Sequence, residues 1–98
     1  MSSQGIPTQL GYTKPSGYVQ LTSLGSAVGL SSIPAEARFA LIQAESQSIR
    51  WRDDGTNPTT GIGMVLAAGA TLVYSGTLSA IKLIETTASA KVNVTYYS

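Results

Sequence analysis

Asp53, Asp54 and Asn57, grouped around Gly55, form the densest run of side-chain oxygens in the chain, and Arg50 and Arg52 stand just ahead of them on either side of Trp51. The carboxylates and the amide are calcium-ligand types, but their spacing lacks the full ligand ladder of an EF-hand loop. The plainer reading is a hairpin turn, because Asp-Gly is a common turn dipeptide and two adjacent carboxylates are readily solvated. The arginines, two residues apart, share one face of a strand and make a basic patch able to pair with a partner's carboxylates. The competing reading pairs them inside the chain with Asp53 or Asp54.

Little other chemistry is available. The chain has no histidine and no cysteine, which excludes Ser-His-Asp and Cys-His constellations, histidine metal clusters and disulfides. A glycosidase-like pair would have to come from Glu36, Glu45, Asp53, Asp54 and Glu85, and 98 residues leave little material for a cleft around it. Gly61 and Gly63 resemble a phosphate loop only in part, without the lysine, third glycine and following helix that such a loop needs. The expectation is a protein that is not an enzyme and carries no cofactor.

Ninety-eight residues make one small domain with a thin core, so subunit contacts are expected to supplement apolar packing. Charged residues make up 11% of the chain, about half the roughly 25% usual in soluble domains, and the net charge is +1. That balance gives no field to gather a polyanion, so nucleic acid is not an expected partner. No apolar run reaches the roughly 20 residues needed to span a bilayer, and the start at 1–4 has no leader-like pattern. The chain reads as made in the cytoplasm, with no membrane partner.

Residues 1–17 mix polar residues, glycine and proline with isolated Ile6, Leu10 and Tyr12, which predicts an extended arm able to lie on a neighbour. Residues 18–98 then read as one β-sandwich domain. Residues 18–22 alternate as a half-buried strand, and 23–32 read as loop. In 35–46 helix-forming Ala, Glu, Leu and Gln compete with strand-like length and neighbours. A strand is preferred, with Phe39 and Leu41 on one face, Ala40 and Ile42 on the other, and both faces covered.

Residues 48–52 alternate with Ile49 and Trp51 inward and both arginines outward, and turn chemistry follows at 53–55. Further strands are expected at 64–66, 71–74, 80–84 and 90–96, with a turn at Gly69. Tyr96 and Tyr97 must point to opposite faces, one into the core and one to the surface or a subunit contact. About seven to eight short strands with turns between them describe an antiparallel β-sandwich or jelly roll.

The stretches Ala-Leu-Ile-Gln-Ala-Glu at 40–45, Arg-Trp-Arg-Asp-Asp-Gly-Thr-Asn-Pro-Thr at 50–59, Gly-Met at 63–64 and the terminal Val-Asn-Val-Thr-Tyr-Tyr resemble small virion-associated proteins of tailed bacteriophages. The resemblance spans 33–98, and its most specific element is the Arg-Trp-Arg-Asp-Asp-Gly stretch with the Gly-Met strand. It implies a capsid decoration or cement subunit that binds the major capsid protein or other virion proteins, often as a dimer or trimer. A neck, connector or tail component of the same particle is the alternative. The resemblance brings no catalytic or cofactor residues, and it does not reach the arm. The expected partner-binding residues are Ile6, Leu10, Tyr12, Tyr18, Arg50, Arg52 and Tyr97. A second alternative is a carbohydrate- or ligand-binding module with Trp51 and the tyrosines as a stacking platform.

Overall fold

The computed structural model describes residues 14–98, and all its regular elements are strands. In chain order they are β1 Pro15–Leu21, β2 Val28–Gly29, β3 Phe39–Glu45, β4 Ile49–Arg52, β5 Met64–Leu66, β6 Thr71–Tyr74, β7 Lys82–Glu85 and β8 Lys91–Tyr97. They form two four-stranded sheets with the orders β1-β8-β3-β6 and β2-β7-β4-β5. The pairing is nested: β1 lies against β8, β2 against β7, β3 against β6 and β4 against β5, all antiparallel. The chain is thus one long hairpin rolled up, with the seams closed where β3 meets β8 and β4 meets β7. This is the double-sheet jelly roll.

Strand alternation builds the core. In β8 the odd-numbered positions face out while Val92, Val94 and Tyr96 are fully buried, and in β3 Ala40, Ile42 and Ala44 are fully buried. Ile49, Leu66, Tyr74 and Leu83 close the core from the other strands, and Leu24, Leu78, Ile81 and Ala90 plug it from the loops. Each fully buried large aliphatic side chain contributes about 1.5–3 kcal/mol. Among the described residues Tyr96 is the one fully buried phenol, and it donates its O–H to the Ser31 carbonyl at 2.6 Å. Burial pushes its pKa up.

The helix-or-strand competition in 35–46 resolves to strand because β3 is the hub of its sheet, pairing with β8 along its whole length and with β6 on the other side. A helical period would have sent Ala40, Ile42 and Ala44 to different sides. One expectation is corrected here. β3 is central but covered on one face only: Phe39 and Leu41 are half-buried and Gln43 is exposed, because a two-layer sandwich covers only the inner face of each sheet. Two smaller differences concern the first third of the chain. β1 begins at Pro15 rather than residue 18, which an edge strand permits since its outer N–H groups need no partner. The loop at 23–32 contains the two-residue strand β2.

Candidate functional site

The loop between β4 and β5 is held by side chains of its own flanking strands. Arg50 donates from Nε to the Thr60 carbonyl at 3.1 Å and from Nη1 to the Gly63 carbonyl at 2.8 Å. Arg52 grips Asp54 with two parallel bonds, Nε to Oδ1 at 3.0 Å and Nη2 to Oδ2 at 2.5 Å. Asp54 also accepts the Thr56 N–H, and the guanidinium beside it holds its carboxyl below the usual carboxylate range. Asp53 accepts the Tyr74 hydroxyl at 2.8 Å, which ties the loop to β6 of the opposite sheet. Burial, with the Asp53 hydrogen bond and charge, pushes the Tyr74 phenol up to about 12.

Backbone geometry completes the brace. Gly55 has φ +89°, as the Asp-Asp-Gly turn requires. Gly63 has φ +141°, and a Cβ there would sit 3.1 Å from the Arg50 and Pro58 Cβ atoms and 3.2 Å from the Trp51 carbonyl oxygen. Only glycine lets the chain pass that close. Between them Thr59 and Ile62 exchange backbone hydrogen bonds at 2.9 and 3.2 Å, closing a tight turn that presents Ile62 outward. Trp51 packs edge-on against Tyr74, ring centroids 6.1 Å apart.

The braced loop displays apolar surface. Trp51, Arg52, Asp53, Asp54, Ile62, Gly63 and Met64 line an open hollow of about 550 Å³ at the β5 flank of the sandwich. Ile62, Met64 and Val65 are 60%, 61% and 57% exposed. Ile62 in the loop and Met64 on the edge strand share the hollow, with Val65 on the strand's other face, and large apolar side chains exposed at a sheet edge are a feature of interaction surfaces.

The expected site residues divide between the two sheets. Arg50 and Arg52 share the outer face of β4 as expected, and of the two readings weighed for them the intramolecular one describes what they do, Arg52 with Asp54 and Arg50 with carbonyls instead of a carboxylate. Tyr18 lies on the other sheet, 61% exposed, and Tyr97 shares its outer face, half-buried and stacked on Phe39 with centroids 5.0 Å apart. The expectation that one of Tyr96 and Tyr97 enters the core holds, with Tyr96 inside. Trp51 is inward and half-buried, so it forms no platform with Tyr18. Ile6, Leu10 and Tyr12 lie outside the described residues.

Sequence reasoning missed Ile62, Met64 and Val65 as a surface. A signal was present: Met64 and Val65 are consecutive in a strand, so one of them had to face away from the core. Asp53 and Asp54 are engaged by Tyr74 and Arg52, and among the described residues no three acidic side chains converge on a metal-sized site. Compared with models of known protein families, with curated proteins and with solved structures, the chain has no match.

Proposed function

We propose that this protein is a structural subunit of a tailed-phage particle, a decoration or cement protein that docks on the major capsid protein through the β5 flank. The observation that carries the reading is the coincidence of two features at one place. The residues most specific to the phage-protein resemblance, 50–55 and 63–64, include the ones that brace the β4–β5 loop beside the exposed Ile62 and Met64. Low surface charge suits a protein that is docked for its working life. The short edge strand β5 offers backbone groups for strand addition, beside apolar side chains that add area to such a contact.

The first test is the copy number of the chain in purified particles, by quantitative mass spectrometry against the major capsid protein. Hundreds of copies support lattice decoration. About six to a few dozen move the protein to the neck or tail, and absence from particles removes the virion reading. The second test is Met64→Glu, which places a charge where an apolar contact is expected. Its melting temperature should match the wild type within a degree or two, because Met64 is 61% exposed, while attachment to particles falls by about tenfold or more. Undiminished attachment would move the docking surface elsewhere.

A further inference from the structure

On the far side of the sandwich, the outer face of the β1-β8-β3-β6 sheet carries two parallel rows of side chains set by strand register. One row runs Tyr18, Thr95, Leu41, Val73 across the four strands. The next runs Gln20, Asn93, Gln43, Thr71. A mostly apolar strip led by an aromatic ring therefore lies beside a strip of amides and hydroxyls. Three strand spacings of about 4.8 Å make each row roughly 14 Å long. Between them lies a shallow depression of about 440 Å³, lined by Tyr18, Gln20, Leu41, Gln43, Asn93 and Thr95 among others.

The polar strip is pre-set by one residue. Asn93 uses all four of its hydrogen-bonding positions: its Oδ1 accepts from the Tyr18 hydroxyl at 2.7 Å and from Gln20 Nε2 at 3.0 Å, and its Nδ2 donates to Gln43 Oε1 at 3.2 Å and Glu45 Oε1 at 2.9 Å. Each of these partners is thereby held at one polar atom. Among the described residues, nothing bonds the Gln20 carbonyl, the Gln43 amide N–H groups, the second Glu45 oxygen or the Thr71 and Thr95 hydroxyls, which face a ligand. The Tyr18 hydroxyl bond draws the ring across the neighbouring strand, with 61% of the residue still exposed. Charge is balanced, since Glu45 stands opposite Lys91 at the end of the face.

We infer that this face binds a neutral oligosaccharide. A pyranose has an apolar C–H face and a rim of hydroxyls, each both donor and acceptor, and it meets these two rows with its ring on Tyr18 and its rim on the amides. Fixing the amides beforehand removes the ordering cost that weakens most exposed polar contacts. The amide row itself holds no lysine or arginine, and the Glu45 carboxylate beside it repels an acidic glycan. The site lies on the sheet opposite the docking flank, so a docked subunit would carry it outward, but glycan binding by the free chain does not depend on the virion reading.

The test is a glycan array of neutral hexose and N-acetylhexosamine oligosaccharides beside sialylated and sulfated ones, probed with the full-length chain. The strongest neutral oligosaccharide is then titrated into the ¹⁵N-labelled protein. Binding to neutral glycans is expected, with shifts centred on the Asn93, Gln43 and Gln20 side-chain amides. Asn93→Ala, Tyr18→Ala and, as a milder variant, Gln43→Ala should each weaken it by about tenfold, and Met64→Glu should not. The inference is overturned if no neutral glycan binds, if only acidic glycans bind, or if folded Tyr18→Ala and Gln43→Ala bind as well as wild type. It also fails if sedimentation shows a dimer that Tyr18→Ala converts to monomer, because the face is then a subunit contact.

Discussion

The β5 flank and the outer face of the opposite sheet use polar side chains in opposite ways. At the flank, Arg50 and Arg52 turn back onto the chain and lock a loop, beside which Ile62, Met64 and Val65 are exposed. On the sheet face, Asn93 ties its neighbours laterally and, among the described residues, leaves the remaining polar atoms of Gln20, Gln43 and Glu45 free. The arginines aim their bonds at the backbone and carboxylate of their own loop and so act as scaffolding, whereas Asn93 fixes side chains on an open face whose remaining polar ends can meet a ligand. The same count of hydrogen bonds therefore carries different consequences for stability at the two sites.

The sharpest way to break the contrast is Gly63→Ala. The new methyl meets the Trp51 carbonyl and the Pro58 and Arg50 side chains at a positive φ, so the flank must open while the sheet face is untouched. A loss of about 2–4 kcal/mol in urea unfolding is expected, together with weaker particle attachment.

Next in size is the alkaline limb of stability. Folding raises the Tyr74 pKa to about 12, and burial raises that of Tyr96, so the folded state holds protons that the unfolded chain has released. The stabilisation is complete below about pH 10 and is lost as the pH rises toward about 12. Melting temperature should fall across that window, and Tyr74→Phe should flatten the fall. An unchanged slope would mean that the Tyr74 phenol does not set the alkaline limb.

The direct comparison is Arg50→Met against Asn93→Ala. Removing Arg50 leaves the Thr60 and Gly63 carbonyls without their guanidinium and should cost about 1–2 kcal/mol. Removing Asn93 breaks four bonds, but water replaces them on an open face, so a cost below about 1 kcal/mol is expected. Equal costs in chemical denaturation would erase the distinction between the loop brace and the open-face network. The smallest effect belongs to Arg52 and Asp54. Asp54 titrates below its ordinary value of 3.8, so the pair's contribution is present above that range and is lost as pH falls through the folded-state value. The pair is exposed, so Asp54→Asn should only slightly flatten the acid limb, and less so in high salt.

Much of the architecture was legible in the residues. Alternation put Tyr96 and Tyr97 on opposite faces, leaving open which one is buried, and the alternation in 48–52 placed Ile49 inward and both arginines outward. The site was only partly legible. Arg50, Arg52 and Tyr18 were singled out, but Asn93 was not, because its partners at 18, 20, 43 and 45 lie 48 to 75 residues away in the chain. Ile62, just ahead of the strand expected at 64–66, falls in no expected element, since no local pattern distinguishes an apolar residue tucked under a turn from one displayed by it.

The residue order by itself determined the elements: strands from a period of two, turns from Asp-Gly and Gly-containing connections, and the absence of histidine and cysteine chemistry. The tertiary structure decided which strands are neighbours, and so which side chains stand in one row. Alternation is local and says which face a residue takes, but it is the same for every pairing partner. The nested pairing, set by the shared core and the turns between strands, is what brings β1, β8 and β3 side by side and assembles the amide row, and what lays β6 where Tyr74 can hold Asp53.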